Sequence, residues 1–119
     1  MYEIKVKATF SSAHNLRNYR GKCEHLHGHN WAVEAVFRYG SLDSDGLAVD
    51  FRDAKGLVKA SIEDLDHAYL NDLAPFRKVN PTSENIARLI YTRIQKSDKH
   101  IASVAVWENE NSCATYSER

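Results

Sequence analysis

The sequence predicts one α+β domain over residues 1–119, in which two helices pack on one face of a four-stranded antiparallel sheet in the order β-β-α-α-β-β. Apolar and polar residues alternate near both ends of the chain, a pattern typical of half-buried strands. The middle of the chain has apolar residues at helical spacing. A length of 119 residues suits one domain with one core. Helices on one face of an antiparallel sheet make an α+β fold.

The first two predicted strands precede the helices. Residues 2–10 alternate between apolar even positions and mostly charged or polar odd positions, and 30–39 carry apolar side chains at odd positions. Residues 11–29 are polar and aperiodic, so they are predicted to form a long loop, and long loops in compact domains are often functional. The stretch GSLDSDG, residues 40–46, is typical of a turn.

Two helices and two closing strands follow. Asp50 is placed to cap the first helix, whose apolar positions reach Leu65. The stretch LDHAYLNDLAPFRKVNP is irregular, and Thr82 or Ser83 can then cap the second helix. Residues 101–108 and 113–117 are predicted as the last strands. Four strands leave two open sheet edges, so we expect oligomerisation through the sheet.

Composition narrows the functional class. Lysine and arginine number 16, and aspartate and glutamate also number 16, which argues against a nucleic-acid binder that depends on surplus positive charge. No apolar run approaches the length of a membrane span. The alternating start MYEIKVKATF differs from a signal peptide, so we expect a cytoplasmic protein.

Three of the six histidines crowd into the stretch CEHLHGHNW. His27 and His29 are two residues apart where the second strand begins, so in extended chain both point to one side and can share a zinc ion at about 2.0–2.1 Å. A neighbouring antiparallel strand would bring His14 close as a third ligand. Three histidines with a fourth position open are typical of catalytic zinc.

The spacing leaves alternatives. H-x-H also occurs by chance on surfaces, and His25 falls on the same side as His27 in extended chain, so spacing does not exclude it. His100 lies in the polar stretch KSDKH and is expected to be solvated. Cys23 could be a fourth ligand, a small buried residue, or a thiol whose pKa is lowered by a nearby cation.

Two further acidic positions carry candidate chemistry. Asp66 could orient His67 for proton transfer, although the pair could equally lie at a helix end with no role, and nothing in the spacing brings Cys23 to His67. Glu108 ends an apolar strand face, where a carboxylate can accept two parallel N–H bonds from a guanidine-like group. The alternative is a solvated strand end.

Taken together, FSSAHNL, CEHLHGHNW, LDHAYLND, NPTSEN and VAVWENE resemble the 6-pyruvoyl-tetrahydropterin synthase family, and in particular its compact bacterial branch, the 6-carboxy-tetrahydropterin synthases of queuosine biosynthesis. The resemblance implies the tunnelling fold (T-fold) and a homohexamer of two trimers with active sites at subunit interfaces. The zinc ligands that it implies are His14, His27 and His29. The implied catalytic residues are Cys23, Asp66 and His67. The implied pterin-binding residues are Glu108, Thr82 and Ser83.

The implied substrate is 7,8-dihydroneopterin triphosphate. The carboxy branch cleaves a carbon–carbon bond and releases acetaldehyde and triphosphate, whereas the pyruvoyl branch only eliminates triphosphate. The short chain and the motif C-E-H-L-H-G-H favour the carboxy branch. The alternatives are a pyruvoyl-forming enzyme or a non-catalytic zinc- or pterin-binding module. Some relatives replace the cysteine by glutamate and make another pterin product, and Glu24 lies beside Cys23 here.

Overall fold

The computed structural model describes residues 1–22 and 24–118 of the chain. Its helices and strands follow the predicted order, with one short strand added between the helices. The elements are β1 (Tyr2–His14), β2 (His27–Tyr39), α1 (Phe51–Ile62), β3 (Ala68–Tyr69), α2 (Ser83–Gln95), β4 (Ile101–Asn109) and β5 (Ser112–Ser117). The predicted α+β class is therefore confirmed.

The first two strands extend well beyond the predicted ends. They pair antiparallel in unbroken register from Tyr2 opposite Tyr39 to His14 opposite His27. The predicted loop of 11–29 thus shortens to 15–26. The apolar alternation stops after Phe10, but the ladder continues because backbone hydrogen bonds do not depend on apolar side chains.

The sheet has five strands rather than the predicted four, in the order β3-β1-β2-β4-β5. The added strand, β3, pairs parallel with β1 through Ser12–Ala68 and Ala13–Tyr69. Two residues are too few for any periodicity to predict a strand. The purely antiparallel sheet expected from the sequence is therefore corrected to a mixed one.

The helices cover one face of the sheet. Asp50 caps α1 by accepting the Arg52 N–H at 2.8 Å, and Thr82 caps α2 by accepting the Asn85 N–H at 3.1 Å. Helix α1 ends at Ile62 and continues to Leu65 as a 3₁₀ turn. The core is formed by buried side chains of both helices and the covered sheet face, including Val58, Ile86, Ile90, Trp31, Val33, Phe37, Val104 and Val106.

Membrane-spanning helices are not found in the described part of the chain, where neither helix combines the length and apolar character that a span requires.

Candidate functional site

The three predicted histidine ligands meet where β1 ends and β2 begins. His14 pairs with His27 across the ladder, and Ser12 pairs with His29. Because alternate residues of a strand share a face, all three imidazoles continue the line of core side chains. The Nε2 atoms of His14 and His27 are 3.0 Å apart, and the His29 ring centroid lies 5.2 and 4.8 Å from those of His14 and His27.

Backbone carbonyls fix the orientation of two of these rings. His14 donates Nδ1–H to the Pro81 carbonyl, and His27 donates Nδ1–H to the His25 carbonyl, each at 2.8 Å. In a neutral imidazole the other nitrogen then carries a lone pair and no hydrogen. With both rings neutral, the two Nε2 lone pairs face each other at 3.0 Å, an arrangement that a bound cation would stabilise.

The third ring, His29, also contributes a nitrogen to the cluster. His29 Nε2 is buried and has no hydrogen-bond partner among residues 1–22 and 24–118, although Glu108 Oε1 lies 2.8 Å away, because the carboxylate is not aligned with the ring N–H direction. Burial lowers the pKa of His29, and the opposing charge of Glu108 offsets this only in part. His29 therefore favours the neutral form that binds metals.

The donor set fits a zinc-like ion. The ligand atoms of His14, His27, His29 and Glu108 all lie within 4.8 Å of one another. Imidazole nitrogens and a carboxylate oxygen suit zinc and its neighbours among the transition metals. The Nδ1–carbonyl bonds supply the outer contacts that usually orient metal-binding histidines. The cluster could therefore hold a metal ion.

Glu108 lies on the same sheet face as the histidines because it alternates with the buried Val104 and Val106 along β4. The β4–β5 ladder runs from Trp107–Cys113 directly to Asn109–Ser112, so Glu108 falls at a register shift. Such bulges commonly redirect a side chain near a functional site. The sequence predicted Glu108 as a substrate anchor and not as a possible metal ligand, and the structure groups its carboxylate with the three imidazoles.

Thr82 and Ser83 reach the same site from the helix layer. They line a cavity of about 260 Å³ together with His14, Glu24 and Glu108. The Thr82 hydroxyl oxygen already caps α2, so a role in binding a ligand would add to a structural one. The pterin-binding residues predicted from the resemblance therefore lie next to the cluster of possible metal ligands.

The predicted Asp66–His67 pair lies beside β1, immediately before β3. Asp66 Oδ1 accepts the Ser11 N–H at 2.9 Å and lies 3.0 Å from His67 Nδ1. The Ser11 bond, with help from His67, lowers the pKa of Asp66 and keeps it ionised. The carboxylate can therefore orient the imidazole, as predicted.

Within the described part of the chain, His67 is not a member of the cluster of possible metal ligands. Its side chain is 84% exposed, and it shares a shallow depression of about 490 Å³ with His29. Its backbone is left-handed, with φ of 54°, and is held there by the N–H bond to the Ser11 carbonyl at 2.6 Å. Such a conformation is uncommon for a residue other than glycine and is often kept for function.

The remaining candidates have different outcomes. Cys23 lies outside the described residues, so its predicted catalytic role stays a prediction. His25 contributes a backbone carbonyl to His27, and its side chain is outside the ligand cluster. The Glu24 carboxylate accepts the Leu16 N–H at 3.1 Å. The contribution of the His25 and Pro81 carbonyls was missed, because backbone groups leave no pattern in a sequence.

Comparison with proteins of known sequence identifies relatives over nearly the whole chain. The family model described as 6-pyruvoyl tetrahydropterin synthase matches residues 3–119. A 6-carboxy-5,6,7,8-tetrahydropterin synthase of Haemophilus influenzae is 31% identical over 99% of this chain and 100% of its own length. The Synechocystis enzyme of the same name is 32% identical over 98% of this chain and 93% of its own. A dihydroneopterin monophosphate aldolase of Pyrococcus furiosus is 34% identical over 88% of each chain.

Solved structures agree on the fold. The 6-pyruvoyl tetrahydropterin synthase of Caenorhabditis elegans superposes with a TM-score of 0.86 and 21% sequence identity, over 99% of this chain and 96% of that one. The T-fold expected from the resemblance is thereby confirmed. With the family match over residues 3–119 and the histidine cluster at the expected positions, the chain belongs to the 6-pyruvoyl tetrahydropterin synthase family.

Proposed function

We propose that the protein is a zinc-dependent 6-carboxy-5,6,7,8-tetrahydropterin synthase. It would convert 7,8-dihydroneopterin triphosphate to 6-carboxytetrahydropterin, with release of acetaldehyde and triphosphate, as a cytoplasmic step of queuosine biosynthesis. The observation that carries the proposal is the convergence of three imidazoles, two of which donate Nδ1–H to backbone carbonyls, beside an open cavity. The two relatives that bear this enzyme name and match almost the whole chain support it.

The metal would be held by His14, His27 and His29. Zinc bound there would supply Lewis-acid chemistry, lowering the pKa of hydroxyl groups and polarising a carbonyl of the substrate side chain. The Pro81 carbonyl and the His25 carbonyl keep the His14 and His27 rings in the tautomer that can bind it.

The pterin ring would bind through Glu108. A carboxylate can accept two N–H bonds from the 2-amino group and the adjacent ring nitrogen. Its position between the histidines and the cavity lined by Thr82 and Ser83 would place the ring next to the metal. In this scheme Glu108 binds the substrate and not the metal, so the three histidines are the protein ligands of the zinc ion.

Proton transfer would be the work of Cys23, Asp66 and His67. Asp66 stays ionised and holds the imidazole of His67, which can then give or take a proton at Nε2. Exposure of His67 in one subunit supports completion of the site by a neighbouring subunit. We therefore include a homohexamer of two trimers with interfacial active sites in the proposal.

The test is incubation of the purified protein with 7,8-dihydroneopterin triphosphate and identification of every product. Acetaldehyde together with triphosphate and 6-carboxytetrahydropterin is expected. Triphosphate without acetaldehyde would identify the pyruvoyl-forming reaction instead, the name carried by a Dictyostelium discoideum relative of 28% identity. If neither acetaldehyde nor triphosphate is released, the protein would be a non-catalytic binding module.

Cys23→Ala tests whether the thiol takes part in the chemistry. We expect turnover to fall by a factor of about 10²–10⁴, as is usual when a group that transfers protons is removed. Cys113→Ala is the matched control, because Cys113 is exposed on β5. Full turnover in Cys23→Ala would remove the thiol from the mechanism.

A further inference from the structure

The chain that follows His14 is held by side-chain amides in place of a neighbouring strand. Asn15 donates its N–H to Asn71 Oδ1 at 3.0 Å and accepts Asn71 Nδ2–H at 2.8 Å. Two residues on, Arg17 donates its N–H to Asn80 Oδ1 at 2.8 Å and accepts Asn80 Nδ2–H at 3.1 Å. Each asparagine thus satisfies both backbone groups of one residue, as a paired strand would.

The residue between them is held by the other end of the loop. Leu16 donates its N–H to Glu24 Oε1 at 3.1 Å and accepts the Glu24 N–H at 2.9 Å. All six backbone hydrogen-bonding groups of residues 15–17, the first three residues after the end of β1, therefore have partners. These partners satisfy the backbone of the segment in the absence of a strand ladder and fix its position.

The same asparagines are tied to the histidine cluster. Asn80 precedes Pro81, whose carbonyl accepts the Nδ1–H of the buried His14. Asn80 is itself fixed at the start of α2, because its carbonyl accepts Asn85 Nδ2–H at 2.9 Å. Asn71 is only 6% exposed, and its carbonyl accepts an N–H from the Arg17 guanidinium at 3.0 Å.

We propose that Asn71 and Asn80 are positioning residues of the metal centre, a role that rests on the proposed zinc function. By holding the segment 15–17 against the start of α2, they keep the Pro81 carbonyl in contact with the His14 ring. They also hold Leu16 and, through it, Glu24, the residue after Cys23. Neither asparagine touches the metal or the substrate. The same contacts engage the Arg17 guanidinium in bonds to carbonyls.

The test compares Asn80→Ala and Asn71→Ala in the full-length protein without a histidine tag. The zinc dissociation constant, measured by competition with a chromophoric chelator, should rise about 10- to 100-fold, the usual effect of losing an outer contact of a metal ligand. Amide hydrogen exchange of the metal-free protein should accelerate at Arg17 in the first variant and at Asn15 in the second. Asn111→Ala, at an exposed position in the β4–β5 turn, is the matched control and should change neither.

Isosteric variants cover the case in which alanine prevents folding. Asn80→Asp and Asn71→Asp keep an acceptor for the backbone N–H but lose the donor to the carbonyl, so a smaller rise in the zinc dissociation constant is expected. Zinc affinity within twofold of the wild type in the folded variants, even with faster exchange at residues 15 and 17, would overturn the positioning role.

The proposal and the proposed function can fail separately. If the wild-type protein binds no zinc, the proposed function fails, and ring-nitrogen NMR of His14 then decides the positioning role. Loss of the Nδ1-protonated tautomer in Asn80→Ala would support the role, and an unchanged tautomer would overturn it.

Discussion

The surroundings of each imidazole in the site determine its tautomer or favour its neutral form. His14 and His27 use Nδ1–H on backbone carbonyls, which turns their Nε2 atoms toward each other, and burial lowers the pKa of His29 and so favours its neutral form. A strand ladder of fixed register then brings the rings together. The chemistry proposed for the site depends on these tautomers, so the ring-orienting carbonyls are as important as the histidines.

His27→Ala should abolish stoichiometric zinc binding and activity together, because two histidines remain and the site loses a ligand. His25→Ala is the matched control, since only its carbonyl contacts the site and the substitution preserves that carbonyl. Metal analysis of tag-free protein is the measurement. Retention of one zinc per chain in His27→Ala would remove His27 from the ligand set.

Glu108→Gln should keep zinc and lose affinity for the pterin, because the charged acceptor is removed while the three imidazoles are untouched. We expect a rise in KM of about 10- to 100-fold, the size of the loss of one charge-assisted hydrogen bond of 1.5–3 kcal/mol. Glu110→Gln, two residues further along, is the control. An unchanged KM in Glu108→Gln with a raised KM in Glu110→Gln would reassign the anchor.

His67→Gly should lower turnover by about 10²–10⁴ without lowering the free energy of unfolding. Glycine adopts a φ of 54° without the steric cost that histidine has there, which compensates for its greater freedom in the unfolded chain. Chemical denaturation and steady-state kinetics measure the two effects. A large loss of stability would show that the His67 side chain has a structural function instead.

At the level of helices and strands, polar contacts hold the end of the sheet that lies away from the histidine cluster. Tyr39, the last residue of β2, donates its hydroxyl hydrogen to Asp98 at 3.3 Å and stacks on the ring of His100. The expectation that His100 is solvated holds only in part, since its ring lies 2.8 Å from Asp98 Oδ1 and its side chain is 54% exposed.

The contact between Tyr39 and Asp98 predicts that the free energy of unfolding falls at alkaline pH. Burial, and then the charge of Asp98, raise the pKa of Tyr39 from 10.0 to about 12. The folded state thus keeps the phenol proton that the unfolded state releases, so the stabilisation is complete below pH 10 and is lost as the pH rises to about 12. Tyr39→Phe should flatten the fall in unfolding free energy between these values, and a slope equal to that of the wild type would contradict the assignment.

The elements differ in how well the sequence predicts them. Helices α1 and α2 were predicted because their apolar spacing and cap residues are local signals. The ends of β1 and β2 were not, because residues 11–14 and 27–29 pair through their backbones without the apolar alternation that predicts a strand. Spacing and strand adjacency brought out the three histidines, whereas the asparagine contacts to residues 15–17 span more than fifty residues and leave no pattern.

For the molecule as a whole, the sheet formed by the described residues ends at two edge strands, β3 and β5, that have no further neighbour there. The T-fold and the family are established, and the assembly is a proposal that follows from the open edges and from the exposed His67. Sedimentation equilibrium should give six times the subunit mass at micromolar concentration. A monomer with full turnover would contradict interfacial active sites.

The central claim is that three imidazoles hold one catalytic zinc ion, and X-ray absorption spectroscopy of the zinc-loaded, tag-free protein tests it most directly. The account predicts one zinc per chain with three imidazole nitrogens at about 2.0–2.1 Å and a light-atom ligand, from solvent or substrate, in the fourth position. A sulfur ligand at about 2.3 Å, or the absence of bound zinc after loading, would contradict it.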